Sequence, residues 1–248
     1  MKLQSLKIPT DTVTIAGLRY LPEDQRRTTS LIFSHGFTSG KFSLDSLASY
    51  LAGRGYEGLT YDFRGHKLGA TGGELTSVFD CCDDLKSVLS WVREHSAAER
   101  IVLIGHSLGA AVSLNVASSD LMGVGASLDD ALTQPLAGVV SICFGMEPWK
   151  GFETEIGRAM LSQREDYVNG VSPEFLLKEL SSLALSTSEL GDVPVLFIAA
   201  KQDVLVPVER VATLSSLGRN STLVQIDSSH LEGPDRSRPT IYQWLNRQ

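Results

Sequence analysis

The sequence predicts an α/β fold, in which a mostly parallel central sheet is covered by helices on both faces and interrupted by a small helical insertion. Three observations predict it. Short apolar runs of strand length alternate with amphipathic stretches of helix length, as βαβ crossovers require. The run Ile101-Val102-Leu103-Ile104 is apolar throughout, like a central strand buried on both faces. The 248 residues suit a single α/β domain, whose core is large enough to need neither disulfides nor a metal.

Each element follows from its pattern. Leu3 to Ile8 and Val13 to Tyr20, joined by Pro9-Thr10-Asp11, read as an N-terminal hairpin. Leu31-Ile32-Phe33-Ser34-His35 is a compact strand ending at Gly36. Ser43 to Arg54 carries Leu44, Leu47 and Leu51 at helical spacing, with Gly55 as its stop. Gly58 to Phe63 (strand), Ser77 to His95 (helix), Ile101 to Gly105 (strand), Ser107 to Ser118 (helix) and Ala137 to Phe144 (strand) continue the alternation. It resumes with Val193 to Ala199 and Thr222 to Ile226 as strands, each followed by a helix, Val206 to Leu217 and Thr240 to Arg247.

Glu147 to Asp192 breaks this rhythm. It reads as two or three short amphipathic helices, with Phe152, Ile156 and Met160 on one face and Phe175, Leu176, Leu180 and Leu183 on another. Ser172-Pro173 marks a helix start there. Residues 1–146 and 193–248 are therefore assigned to the core and 147–192 to the insertion. An insertion at the C-terminal end of a strand lies beside the crevice where ligands bind in such sheets, so it is expected to form a lid. The competing reading is a packed crossover.

Composition narrows the function class. Apolar residues make up 42%, charged residues 21%, and the net charge is −7. The basic residues are scattered, which excludes the clustered Lys and Arg of a nucleic-acid interface. Cys81, Cys82 and Cys143 lack metal-ligand spacing and read as free thiols of a reducing compartment. Met1-Lys2-Leu3-Gln4-Ser5 lacks the apolar run and cleavage site of a signal peptide and the longest apolar stretches are of strand length, so the expected location is the cytoplasm. Oligomeric state leaves no signal in the sequence.

The chemistry is carried by Gly105-His106-Ser107-Leu108-Gly109, a G-x-S-x-G turn between a buried strand and a helix. Small residues two before and two after the serine let the chain reverse sharply and project the hydroxyl. A serine hydroxyl is a poor nucleophile until a base takes its proton. Of the five histidines, His230 in Ser228-Ser229-His230 follows the last strand, at the sheet edge where such chemistry collects. Asp203, just beyond the strand Val195 to Ile198, is the acid expected to orient it, and Ser107, Asp203, His230 is the chain order of this arrangement. Glu147 is the rival acid; Asp192 precedes its strand, and Asp227 is too near His230 in sequence. The backbone N–H groups of Phe37 and Leu108 are the expected oxyanion donors. His35, His106, Trp149, Phe152 and Met160 are candidates to line the substrate pocket. His66 reads as structural, with a place at the substrate's edge as the alternative.

With His35-Gly36-Phe37, Asp62-Phe63-Arg64-Gly65-His66, the Ser107 turn, Asp203 with Val206-Pro207, and His230, the chain resembles the α/β-hydrolase superfamily along nearly its whole length. It is most similar there to small bacterial carboxylesterases, monoacylglycerol-lipase relatives and cinnamoyl (feruloyl) esterases. The resemblance implies an acyl-enzyme mechanism without cofactor or metal, and Trp149, Phe152, Met160 and Tyr167 in the expected lid point to a small-molecule substrate that is a medium-sized, partly apolar acyl or aryl ester. Thioester, amide or C–C bond cleavage uses the same triad, and a low-turnover ligand-binding protein is the reading from another class. The segment Lys67-Leu68-Gly69-Ala70-Thr71-Gly72-Gly73 departs from the glycine and small polar residue that relatives often carry after this histidine, which puts substrate access in question rather than the triad.

Overall fold

The computed structural model describes residues 1–23, 27–121, 134–147, 149–184 and 189–248. Within them the strands are Lys2–Pro9 (β1), Thr14–Leu21 (β2), Thr29–Ser34 (β3), Glu57–Tyr61 (β4), Arg100–His106 (β5), Leu136–Ile142 (β6), Val195–Ala200 (β7) and Ser221–Ile226 (β8). The helices are Asp45–Ala52 (α1), Val78–His95 (α2), Leu108–Leu121 (α3), Trp149–Phe152 (α4), Glu155–Ser162 (α5), Pro173–Ala184 (α6), Val208–Ser215 (α7), Gly233–Arg236 (α8) and Arg238–Leu245 (α9). The sheet runs β1-β2-β4-β3-β5-β6-β7-β8. The hairpin β1–β2 and its junction with β4 are antiparallel, and every other pairing is parallel.

Alternation along β5 explains its uninterrupted apolar sequence. Ile101 and Leu103 enter one core with α2, α3 and α6, while Val102 and Ile104 enter the other with α1 and α9. Each fully buried aliphatic side chain of this kind contributes roughly 1.5–3 kcal/mol. Among the described residues no helix is long and apolar enough to cross a membrane. Cys81, Cys82 and Cys143 are free and buried.

Several boundaries move for identifiable reasons. The helix expected from Ser43 opens as a 3-10 turn over Lys41–Leu44 and ends at Ala52, and Gly55 takes the left-handed conformation (φ 92°) that halts it. The helix expected from Val206 starts at Val208, because the Asp203 carboxylate takes the N–H groups of Leu205 and Val206 and Pro207 occupies the cap. The short helix α8 is not anticipated by the sequence pattern.

The segment expected to form the insertion divides in two. In α6, Leu176, Leu177, Leu180 and Leu183 are buried in the first core, whereas Phe175 is 48% exposed, outside the face assigned to it. This helix is pinned to the start of α2, where Glu179 accepts the Ser77 hydroxyl at 2.9 Å and the Val78 N–H at 2.8 Å. The segment α4–α5 lies nearer the C-terminal sheet edge. Thr154 caps α5 by accepting the Gly157 N–H at 3.1 Å, which breaks the helix between Phe152 and Ile156. The two therefore share no helical face, and Ile156 is 58% exposed while Phe152 and Met160 pack on the core.

Candidate active site

The strand β5 ends at His106, and α3 begins at Leu108. Ser107 between them has φ 52°, a left-handed conformation that costs a non-glycine residue about 1–2 kcal/mol. The flanking glycines make this turn possible. A Cβ on Gly105 would lie 2.2 Å from the Gly109 carbonyl oxygen, and one on Gly109 would lie 2.1 Å from that of Ser34. Leu108, as the first residue of α3, has an N–H with no partner inside its own helix, at the positive end of the helix dipole.

Asp203 follows β7 with its carboxylate fully buried. Oδ1 accepts the N–H groups of Leu205 and Val206, both at 2.9 Å, and Oδ2 accepts Nδ1–H of His230 at 2.6 Å. Because a carboxylate only accepts, the proton of neutral His230 sits on Nδ1, leaving Nε2 free to take one. The rival acids are engaged elsewhere or misplaced. Glu147 pairs with Lys150 at 2.6 Å, Asp227 with Lys201 at 3.0 Å, and Asp192 precedes β7.

Ser107 and His230 open onto one cavity of about 110 Å³, walled on its apolar side by Phe37, Phe152, Met160, Leu161, Leu205 and Leu231. Two larger recesses, of about 620 and 680 Å³, lie away from these residues. The strain at this edge is concentrated. Thr38 (φ 60°), Cys143 (φ 54°) and Glu147 (φ 51°) join Ser107 as left-handed non-glycine residues, each just past the C-terminal end of β3, β5 or β6.

A sequence profile of the Alpha/beta hydrolase family matches residues 31–239. The chain belongs to this family. Solved structures agree on the fold. An esterase of Pyrococcus furiosus, Pf2001, is 23% identical and superposes with a TM-score of 0.74 over 99% of this chain and 91% of its own. Est1E of Butyrivibrio proteoclasticus, solved with ferulic acid, is 16% identical with a TM-score of 0.75, covering 98% of both chains. A thermophilic esterase of Thermogutta terrifontis, solved with malate, is 18% identical with a TM-score of 0.67 over 98% of each. No curated protein matches the sequence.

In this alpha/beta hydrolase the expected pocket residues part company. Phe152, Met160 and His106 line the cavity, and the Trp149 side chain lies outside the described residues. His35 does not line it. Its ring is fully buried, with Nδ1–H on the Gly36 carbonyl (2.8 Å) and Nε2 accepting the Phe63 N–H (3.0 Å), so it fixes the turn carrying Phe37 instead. His66, packed edge-on against His35 at 4.9 Å, is also away from the cavity, and its buried Nε2 has no protein partner among the described residues. Burial lowers the pKa of His35 well below the ordinary value, that of His66 to about 4 and that of His106 to about 3, so all three are neutral near pH 7.

Three features of the hydrolase escape sequence reasoning. His106 Nε2–H donates to the His230 carbonyl at 2.9 Å, tying the last loop to the end of β5 across 124 residues. Cys143 sits against Asp203, and burial first, then the Asp203 charge, push its thiol pKa far up. His106, Cys143 and His230 bring potential metal ligands within 4.8 Å of one another, but His230 Nδ1 is bonded to Asp203 and His106 Nε2 to the His230 carbonyl. The third is Arg164, which reaches the cavity from beyond the end of α5.

Proposed function

We propose that this hydrolase cleaves carboxylic esters with Ser107 as nucleophile, His230 as base and Asp203 as the acid that orients it. The observation that carries the reading is the bond between His230 Nδ1 and the buried Asp203, in a histidine that opens with Ser107 onto one apolar cavity. Nε2 takes the serine proton as Oγ attacks the acyl carbon. The proton then passes to the leaving alcohol, and the acyl-enzyme is released by water activated by the same nitrogen. The N–H groups of Phe37 and Leu108 hold the developing oxyanion, each worth about 3 kcal/mol. His106 and His35 act through others, the first on the loop of His230 and the second on the turn of Phe37. The esterase neighbours support the reaction class.

Residues 147–192 serve this site unequally. The segment α4–α5 supplies the cover, with Phe152, Met160 and Leu161 as its inner face, while α6 belongs to the body. The cavity is smaller than the roughly 150 Å³ void that holds a benzene ring, so short acyl groups enter without rearrangement and longer ones require the cover to yield. A series of p-nitrophenyl esters tests this. The expected result is highest kcat/KM for acetyl to butyryl esters, a decline toward octanoyl, and loss of turnover in Ser107→Ala. Undiminished turnover by Ser107→Ala, or no turnover of any ester by the native protein, contradicts the reading.

A further inference from the structure

Among the described residues, the cavity above Ser107 holds one permanently charged side chain. Among its fifteen described lining residues are no Asp, Glu or Lys, and besides the imidazoles of His106, which burial keeps neutral, and His230, the one basic side chain is Arg164. This residue lies between the end of α5 and the 3-10 turn Glu165–Tyr167, and it is half-buried. Nη1 donates to the Thr38 hydroxyl at 3.2 Å, and the guanidinium carbon sits 5.9 Å from the Tyr167 ring centroid. None of the ion pairs among the described residues involves Arg164. Its chain neighbours Glu165 and Asp166 are exposed and make no salt bridge with it.

A guanidinium has five N–H donors in a planar fork suited to a carboxylate. Here a neutral hydroxyl takes one of them, and among the described residues no carboxylate neutralises the charge against the apolar walls. Partial desolvation strengthens the attraction of such a cation for an anion, and in a protein of net charge −7 a positive spot inside a cleft runs against the surrounding sign. The contact with Thr38 places the guanidinium one residue from Phe37, within the same cavity as Ser107.

We propose that Arg164 is an anionic subsite, and that the esters cleaved here carry a second, free carboxylate, as the half-esters of dicarboxylic acids do. The inference rests on the ester-hydrolase reading and names the substrate class of that site. The guanidinium binds the spectator carboxylate while the ester carbonyl lies over Ser107, and no bond to Arg164 is made or broken.

Two matched pairs test it. In one the carboxylate is on the acyl side (p-nitrophenyl hydrogen glutarate against p-nitrophenyl valerate). In the other it is on the alcohol side (4-carboxyphenyl acetate against its methyl ester). The readout is the anionic-to-neutral ratio of kcat/KM in native protein and in Arg164→Gln, which cancels the intrinsic reactivity of each ester. The expected result, in one pair at least, is a fall in this ratio of roughly tenfold or more, the scale of one charge-assisted hydrogen bond, carried mainly by KM. Arg164→Lys should retain part of the preference, and 0.5 M salt should narrow it. Ratios that Arg164→Gln leaves unchanged in both pairs overturn the subsite, and so does an equal loss on both members, which marks a purely structural role through Thr38. Binding of monomethyl glutarate to Ser107→Ala, measured by calorimetry, reads the subsite without turnover. Weakening on adding Arg164→Gln supports the proposal even if the triad reading fails, and equal affinity refutes it.

Discussion

Replacing Asp203 by Asn should cost about 10⁴-fold in kcat while leaving the fold intact, and the reason lies in the bonds that fix which way the new amide faces. Oδ1 accepts two backbone N–H groups, from Leu205 and Val206, each at 2.9 Å. An amide nitrogen at that position would set donors against donors, so the asparagine oxygen must stay there and its NH₂ must face His230 Nδ1. The imidazole can then meet it only with an unprotonated Nδ1, which puts the proton on Nε2 and removes the base. The isosteric change keeps the packing of a side chain that is fully buried. For the proposed triad the loss is that of the wrong tautomer, about 10⁴-fold or 5.5 kcal/mol of transition-state stabilisation. The assay is single-turnover p-nitrophenyl acetate cleavage at pH 8, with near-ultraviolet circular dichroism as the check on folding. A folded Asp203→Asn protein within tenfold of native activity would refute the reasoning.

Other substitutions probe the supports. Gly109→Ala brings a Cβ to 2.1 Å from the Ser34 carbonyl oxygen, so α3 and β3 must separate by close to 1 Å; an ångström of misplacement costs about 10²-fold, measurable as kcat on p-nitrophenyl acetate. His106→Phe removes the bond to the His230 carbonyl and should lower kcat about tenfold or more, the scale of one hydrogen bond in the site, with KM little changed in steady-state kinetics. Glu179→Ala should lower unfolding free energy by about 1–2 kcal/mol in urea melts without altering kcat, because the carboxylate caps α2 far from the cavity. The buried histidines set the pH dependence of stability. Their folded pKa values lie below the unfolded value of about 6.5, so unfolding takes up protons and stability falls as pH drops from 6.5 toward 4, by up to about 1.4 kcal/mol per pH unit for each of His35, His66 and His106. Urea melts from pH 7 to 4.5 should show this slope, and His66→Gln should flatten it by about a third.

What was legible in the sequence was local or periodic. Strand β5 announced itself because four consecutive apolar residues can only serve two cores at once, and the Ser107 turn because Gly105 and Gly109 stand where any Cβ strikes backbone. The pairing of Asp203 with His230 followed from both lying past the C-terminal ends of neighbouring strands, β7 and β8. Contacts between distant segments left no such trace. Nothing in the sequence says that His35 spends both ring nitrogens on backbone, that His106 reaches residue 230, or that Arg164 bonds Thr38 across 126 positions. The Phe152–Ile156–Met160 spacing misleads because a cap interrupts the helix there, Thr154 dividing the apparent stripe between two helices with different faces. Leucine spacing in α6 is the same whether a helix covers a cleft or fills a core, so only its packing on α2 and α3 separates the two.

The central claim is that Ser107 carries the acyl group, and intact-protein and peptide mass spectrometry after treatment with a fluorophosphonate tests it most directly. The account predicts one adduct, on the peptide containing Ser107, formed rapidly in the native protein, about 10²-fold or more slowly in His230→Ala, and not at all in Ser107→Ala. An adduct on another residue, or labelling of Ser107 that is indifferent to His230, would contradict it.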